Sequence, residues 1–354
     1  MVFIELNWNK MQTKILLLFI LLSVTFYGCN DEEFLDRKPI DFLAPDNFQS
    51  ERDIREAVNG IYKAYADPFE PIYTDFIVDN GYWVSYSDMW KQVYNSETEQ
   101  VVGKWERNYK TILRANSVLY YIDDVPLTEE AYNQHKGEAK FLRALAYFDL
   151  TEFYGDVPLR TKPESLSEAD KPLTSKSEIL SFILAELEEA AELLPISYGS
   201  SDRGRATKGA ALAIRARALL FNHRYEEAVE YCRKVKDLGI YSLMNDYRLM
   251  FLPEGESGNT ETIFDIQFEK DARQQGLSNQ WYTRFVRWSG LEILQNLEEQ
   301  YYSINGLSIN NPENDLYDDT VNPNIYDKSW IIGDDSFGDV DFRNANYDNR
   351  FSNR

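Results

Sequence analysis

Apolar side chains recur every three or four residues between residues 50 and 237, which predicts a succession of amphipathic helices. The first predicted helix starts after Ser50, where Asp53 three residues later completes a capping box, and it ends before Pro68. Five further helices follow from the same spacing and from start and stop signals. They run through Trp105 and Tyr120, from Thr128 to Gly155, from Ser175 to Pro195, from Thr207 to about Phe221, and from after Arg224 to Asp237.

The last two of these helices are predicted to form an antiparallel pair joined by a short turn at 222–224. Leu212, Ala216 and Leu219, followed by the stretch 225–235, match the spacing of small and medium-sized residues in a tetratricopeptide repeat. A generic helical hairpin fits the same spacing and stays open as an alternative. The predicted fold class is mainly α, with tetratricopeptide-repeat-like helical pairs (an α/α superhelix), irregular loop-rich insertions and few short strands.

The stretches between and after the helices carry weaker signals. Residues 72–100 show no helical period and are predicted to be irregular. Thr262 to Phe268 alternates apolar and polar positions, which predicts one strand. From Asn305 the chain is rich in Asn, Asp and Gly, which favours loops.

The N-terminal region has the layout of an export signal. Lys14 precedes an apolar run from Ile15 to Tyr27, which is too short to span a bilayer comfortably and ends at Gly28 and Cys29. A cysteine directly after a small residue is the acceptor expected for a diacylglycerol, and two or more acyl chains anchor a protein durably. We therefore predict lipid attachment at Cys29. The alternative is an ordinary or uncleaved signal with an incidental cysteine.

Composition and charge exclude several classes of function. The net charge of −22 repels phosphate backbones, so a nucleic-acid partner is not expected. Once Cys29 is acylated, Cys232 is the only remaining cysteine, which excludes a disulfide framework. Neither histidine belongs to a metal-binding spacing, and no metal or cofactor is predicted. The unusual feature is an aromatic content of 14%, with 24 Tyr, 20 Phe and 7 Trp.

Several ordered blocks give the chain a resemblance to the SusD/RagB-like outer-membrane lipoproteins of nutrient-uptake systems. The blocks are CNDEEFLD at 29–36, KGEAKFLRALAYF at 136–148, FYGDVPL at 153–159, RATKGAALA at 205–213 with RAR at 215–217, and NTETIF at 259–264. The resemblance covers roughly residues 29–305. It implies a signal peptide at 1–28, a lipidated tether at 29–46, a SusD-like helical-repeat domain at 47–305, and at 306–354 the loop-rich start of an incomplete C-terminal region.

The resemblance also implies a function and a location. Such proteins resemble a lid on a SusC-like TonB-dependent barrel transporter, bind oligosaccharide or peptide, and are not enzymes. The chain is therefore expected on the outside of the outer membrane, held by the lipid on Cys29. The acidic run at 31–33 looks like the signal that sends such lipoproteins to the cell surface, and it also serves as a solvated tether.

Sugar binding requires exposed aromatic rings with polar neighbours, because pyranose C–H faces pack on rings while polar groups hold the hydroxyls. Two irregular stretches meet this requirement. The candidate ligand residues are Asn80, Tyr82, Trp83, Tyr86, Asp88 and Trp90 in the first stretch, and Trp281 and Trp288 in the second. The alternative for each ring is a place in the core of an aromatic-rich fold.

Two other functions compete with glycan binding. The repeat helices alone would allow a protein-interaction scaffold at the outer membrane. A secreted glycoside hydrolase needs only two carboxylates, and 59 acidic residues are present, but no nucleophile elbow, zinc motif or phosphate loop occurs.

Overall fold

The computed structural model describes residues 48–67, 77–78, 81–83, 91, 93–164, 166–168, 170–256, 258–268 and 291–293. The chain divides into two compact units, Met1–Phe48 and Gln49–Arg354. All described residues except Phe48 belong to the second unit. Cys29, the signal segment and the tail after Ile293 therefore lie outside the described residues.

The second unit is mainly helical, which confirms the predicted fold class. The longer helices are α1 (Glu51–Tyr65), α2 (Glu99–Tyr121), α3 (Glu129–Tyr154), α4 (Lys176–Leu193), α5 (Lys208–Phe221) and α6 (Tyr225–Asp237). A single-turn helix, α7, spans Pro253–Glu256, and short 3₁₀ turns lie at Ile122–Asp124, Leu166–Glu168, Ser200–Asp202 and Tyr247–Phe251. Two three-residue strands, β1 (Gly81–Trp83) and β2 (Leu291–Ile293), pair with each other.

Side-chain caps start the helices where the sequence predicts. Ser50 and Asp53 form the reciprocal capping box of α1, which occupies two backbone N–H groups that would otherwise lack partners. Thr128, Ser175 and Thr207 each accept a hydrogen bond from the backbone N–H three residues later. Each of the four helices therefore begins one residue after its predicted cap.

The helices pack in sequence order, each antiparallel to the next. α1 contacts α2 and α3, and the series then continues through α3–α4, α4–α5 and α5–α6. α3 lies at the centre, touching α1, α2, α4 and α5, and its fully buried side chains include Phe141, Leu142 and Tyr147. Burying each such apolar side chain contributes about 1.5–3 kcal/mol, which makes α3 the main source of core stability.

Because α3 is surrounded, its charged side chains are buried as well. Arg143 donates through Nε and Nη2 to Glu186 on α4, at 2.8 Å and 2.5 Å, and Lys140 Nζ lies 2.6 Å from the other oxygen of Glu186. Arg143 also donates to the side-chain oxygen of Asn116 on α2 at 2.7 Å. One buried carboxylate thus joins α3 to α4, and one guanidinium joins both to α2.

A second buried polar cluster centres on Glu138, whose side chain is fully buried. Arg205 donates to Glu138 at 2.8 Å, and His135 Nδ1 lies 3.6 Å from it. Burial opposes ionisation of Glu138. The neighbouring His135 and the charge of Arg205, together with a hydrogen bond from Gln134, outweigh burial, so the pKa of Glu138 lies below its ordinary value. Tyr62 on α1 joins the cluster and accepts a hydrogen bond from the backbone N–H of Ala206 at 2.8 Å.

The α5–α6 pair has the predicted hairpin form. His223 occupies the turn with a φ of 59°, in the left-handed region that tight turns require. Ala228 and Tyr231 are the buried residues of α6, whereas Cys232 is exposed. The repeat pattern is therefore followed on α5, where Leu212, Ala216 and Leu219 are buried, and only in part on α6.

The predicted strand at 262–268 is wrong, since this segment is irregular. The side-chain oxygen of Asn259 accepts the N–H groups of Glu261 and Thr262, at 3.0 Å and 2.9 Å, and this turn redirects the chain. Phe264 then packs edge-on against buried Phe141, with 4.9 Å between ring centroids. Phe264 thus serves a contact with α3, and residues 262–268 form no strand.

Candidate functional site

The structure describes only part of the predicted ligand site. Tyr82 and Trp83 lie in β1. The other candidates lie outside the described residues, namely Asn80, Tyr86, Asp88, Trp90, Trp281 and Trp288. The candidate ligand set is therefore untested as a whole.

The pairing of β1 with β2 nevertheless places the backbone of the first aromatic stretch next to the segment that follows the second. β1 and β2 run antiparallel, with Gly81 opposite Ile293 and Trp83 opposite Leu291. Leu291 follows Trp288 by three residues in the sequence. Two segments about 200 residues apart in the chain thus meet at the strand that carries Tyr82 and Trp83.

The stretch 68–98 is an insertion between α1 and α2; an ion pair with α2 lies at its start and a local turn lies at its end. Asp67, directly before it, accepts a hydrogen bond from Arg107 of α2 at 2.6 Å in a mostly buried ion pair. At the other end, the N–H of Asn95 donates to the Thr98 hydroxyl at 3.0 Å, just before α2 begins. The insertion therefore leaves and re-enters the helical frame beside the first turns of α2.

An aromatic cluster lies at this point of departure. The Trp105 ring is 4.8 Å from Tyr109 on the same helix and 5.1 Å, edge-on, from Tyr154 at the end of α3. The Tyr154 hydroxyl donates to the Val101 carbonyl at 2.6 Å, and that of Tyr109 donates to the Pro158 carbonyl at 2.8 Å. Burial raises the pKa of Tyr109 well above its ordinary value, so its hydroxyl stays protonated. These contacts hold the rings in fixed orientations.

The charges next to this cluster are balanced. Lys104 Nζ lies 4.0 Å above the Phe153 ring and 3.8 Å from the Asp149 carboxylate. Tyr65 of α1 donates to the same carboxylate at 3.1 Å. The base of the insertion thus carries paired charges and aromatic surface. We call Lys104, Trp105, Tyr109, Asp149, Phe153 and Tyr154 the site base.

The sequence pattern placed the aromatic residues of the site base on two separate helices. It did not predict that these residues contact one another. The available signal was the pair Trp105 and Tyr109 at i and i+4, with Phe153 and Tyr154 just before the helix stop at Gly155. Only the antiparallel packing of α2 on α3 shows that these two signals coincide.

A SusD-like family model, described as "Starch-binding associating with outer membrane", matches residues 33–220, which is more than half of the chain. The chain belongs to the SusD-like family. SusD-like protein P25 of Formosa agariphila is 30% identical over 286 residues, covering 75% of this chain and 53% of that protein. SusD-like protein P38 of the same organism is 30% identical over 218 residues, covering 58% of this chain and 42% of that protein. The chain thus spans about half the length of these curated relatives.

Solved structures agree with this assignment. The crystal structure of a SusD-like protein from Bacteroides fragilis superposes with a TM-score of 0.68 at 28% identity, covering 77% of this chain and 57% of that one. Surface glycan-binding protein A from Bacteroides thetaiotaomicron, solved in complex with laminarihexaose, gives a TM-score of 0.55 at 23% identity. This superposition covers 62% of this chain and 50% of that one. At 23% identity the similarity shows a shared fold and nothing further.

The SusD-like sequence blocks have structural roles in this chain. The block at 136–148 supplies the buried charges Glu138, Lys140 and Arg143 of α3. In the block at 259–264, Asn259 forms the turn and Glu261 accepts the backbone N–H of Met244 at 2.9 Å. The blocks at 136–148 and 259–264 therefore contribute to the helical frame, and the block at 153–159 supplies Phe153 and Tyr154 of the site base.

Two negative findings apply to the described ranges alone. No helix within them is long and apolar enough to cross a membrane. No group of three or more His, Cys, Asp or Glu side chains within them is arranged to hold a metal ion.

Proposed function

We propose that this SusD-like chain is the glycan-binding part of a cell-surface lipoprotein that works with a TonB-dependent outer-membrane transporter and performs no chemistry itself. The observation that carries the proposal is an aromatic-rich stretch that leaves the helical frame at the Asp67–Arg107 ion pair, beside the aromatic rings and paired charges of the site base. Family membership supports the class of ligand. Acylation at Cys29 would hold the protein at the outer membrane, and SusC-like barrels are the expected transporters.

The proposed ligand surface uses rings of the insertion together with rings of the second stretch. Trp83 and Trp90, with Tyr82 and Tyr86, would stack on pyranose faces, while Asn80 and Asp88 would bind hydroxyls. Trp281 and Trp288 would complete the surface. The pairing of β1 with β2 supports this arrangement, since it brings together the backbone segments that lead to both sets.

The ion pair at Asp67 fixes the chain where the stretch begins, which reduces the conformational freedom lost when a ligand docks. A few stacked rings and hydroxyl contacts give a net binding free energy of about −4 to −8 kcal/mol, which corresponds to dissociation constants from mM to μM. Weak binding of this kind suits capture followed by transfer to a transporter.

The test compares Trp83→Ala and Trp90→Ala with the unmodified protein in gels that contain laminarin or starch. We expect retardation of the unmodified protein and reduced retardation of both variants, with unchanged melting temperatures. Tyr120→Ala is the matched control, because Tyr120 is 60% exposed at the opposite end of α2. Equal retardation of both tryptophan variants and the unmodified protein would exclude this insertion as the ligand site. Release of reducing sugar from either polysaccharide would contradict the non-catalytic assignment.

A further inference from the structure

We propose that two copies of this chain associate through helix α6, which lies side by side and antiparallel with the α6 of the other copy around a two-fold axis. The exposed face of α6 is then covered by the same face of a second copy. None of the proposed ligand residues belongs to this surface, so the inference does not depend on glycan binding.

One face of α6 carries a row of exposed side chains. The row consists of Tyr225, Val229, Cys232 and Lys236, which follow one another at intervals of four, three and four residues and therefore share a face. We call these four residues the α6 row. Tyr225 is 56% exposed and Val229 is 46% exposed, and Cys232 is exposed as well. The first three turns of this face are thus largely apolar and open to water.

The row is not the face through which α6 packs on the rest of the bundle. That inner face carries the buried residues Ala228 and Tyr231, and the Tyr231 hydroxyl donates to Glu188 of α4 at 2.6 Å. α6 packs mainly on α5 and is the last of the six long helices within the described residues. A helical repeat that ends a series needs a polar outer face or a further element to cover it. The apolar part of the α6 row therefore indicates an interface.

The charges of α6 differ between its two sides. Glu226 and Arg233 are two turns apart on the side next to the row, and neither forms an ion pair within the described residues. The charges further from the row are paired inside the chain, namely Arg224 with Glu227 and Glu230 with Lys234. Unpaired charges of opposite sign thus lie along the edge of the exposed face.

An antiparallel pair centred between Val229 and Cys232 makes these groups complementary. Tyr225 of one copy then lies opposite Lys236 of the other, which is a cation–π arrangement. Glu226 of one copy lies beside Arg233 of the other copy. Each contact occurs twice, because a two-fold interface is self-complementary.

The order of charges along α6 favours this direction of pairing over a parallel one. Acidic residues occupy the first turn of α6 and basic residues its last turn. An antiparallel pair brings the acidic end of each helix to the basic end of the other, whereas a parallel pair would place like charges together. Residues 224–237 contain four basic and four acidic side chains, so this segment carries no net charge in a chain of −22. It can therefore approach a second copy without the repulsion that the whole chain exerts.

The size of the surface predicts a weak dimer. α6 has 13 residues and is about 20 Å long, so one helix face buries less than the roughly 800 Å² per partner that is typical of stable complexes. We expect reversible association with a dissociation constant on the order of 10–100 μM.

Sedimentation equilibrium of the full chain carrying Cys29→Ser, at about 10 to 500 μM, measures this association. We expect Glu226→Arg and Arg233→Glu each to weaken the dimer about tenfold or more, because both symmetric pairs change from attraction to repulsion. The double variant Glu226→Arg/Arg233→Glu restores the pairing and should regain most of the affinity. The matched control is Glu230→Lys/Lys234→Glu, a swap of the same kind further from the row, which should leave the association unchanged.

Cross-linking with a short bis-maleimide gives a second measurement, since both Cys232 thiols lie near the two-fold axis. The chain carrying Cys29→Ser should yield a covalent dimer. Adding Cys232→Ser should abolish this product, and adding Val229→Lys should reduce it about tenfold, because two cations then face the centre of the pair.

Several outcomes overturn the proposal. A monomer at every concentration excludes a dimer, and a dimer that is equally stable in both single charge reversals lies on another surface. Failure of the double variant to regain affinity contradicts the antiparallel register. Absence of the Cys232 cross-link from the otherwise unmodified chain also overturns the proposal, and this result needs no charge variant to fold.

Discussion

Replacing Glu186 by alanine tests whether the buried charges of α3 hold the helical frame together. The Glu186 side chain is 6% exposed and accepts hydrogen bonds from Arg143 at 2.8 Å and from Lys140 at 2.6 Å. Removing this carboxylate leaves two cations in the interface between α3 and α4, with their principal partner gone. Breaking a buried pair from one side costs about 3–5 kcal/mol, since the remaining charge is left without compensation. We expect a loss of that size for Glu186→Ala.

The chain offers a matched control for this substitution. Glu189 also contacts Lys140, at 2.9 Å, but its side chain is 58% exposed. An exposed ion pair contributes about 0–1 kcal/mol, because water and salt screen it. Glu189→Ala should therefore cost no more than about 1 kcal/mol, although it removes the same chemical group from the same helix.

Urea unfolding of the two variants and the unmodified protein, followed by circular dichroism, measures the difference. The unfolding midpoint should fall much further for Glu186→Ala than for Glu189→Ala, with similar denaturant slopes. Equal losses in the two variants would refute the argument, since the Glu186 carboxylate is buried and also binds Arg143, whereas the Glu189 carboxylate is exposed. A loss below about 1 kcal/mol for Glu186→Ala would show that water reaches the cluster.

Two further predictions concern the frame. Arg205→Met should cost about 3–5 kcal/mol at about pH 7, where Glu138 is ionised and loses its cation. The folded-state pKa of Glu138 is depressed, so its stabilising contribution is present above the unfolded value of 4.5 and is lost as pH falls through the folded value. Thermal melts at about pH 7 and about pH 3.5 should therefore show a smaller cost in acid, and a cost that does not change with pH would contradict the pairing. Gly137→Ala should cost about 1–3 kcal/mol by urea unfolding, because the new Cβ would lie 2.8 Å from Leu194 Cγ. Gly103→Ala, in an open position on α2, should instead stabilise by about 0.5–1 kcal/mol, and similar effects at both glycines would contradict the close packing at Leu194.

Local sequence signals predicted the helices well because caps and periodicity act over a few residues. Ser50, Thr128, Ser175 and Thr207 each cap a helix through a bond to the residue three positions later. The same local logic failed at 262–268, where Phe264 contacts Phe141 on a distant helix and no strand forms. A period of two indicates which side chains share a face, but not whether another strand is available to pair.

Long-range pairing explains what the sequence did not reveal. Arg143 and Glu186 are 43 residues apart, and each taken alone looks like an ordinary charged residue on an exposed helix face. The site base has the same origin, because Trp105 and Tyr154 meet only when α2 packs on α3. The sequence predicted aromatic ligand residues on loops. The contacts among the residues of the site base depend on helix packing, which the sequence pattern did not predict.

The proposed ligand surface is separate from the buried contacts of the helical frame. Glu138, Arg143 and Asn259, which lie in the SusD-like sequence blocks, make buried pairs and a turn. The insertion is joined to this frame through the Asp67–Arg107 pair and the turn before α2. Under the proposed function, residues between these two attachment points set ligand preference, because binding residues are commonly placed on loops held by a rigid frame. Exchange of residues 68–94 between SusD-like chains should then transfer ligand preference together with the segment, and unchanged preference in the exchanged chain would contradict the proposal.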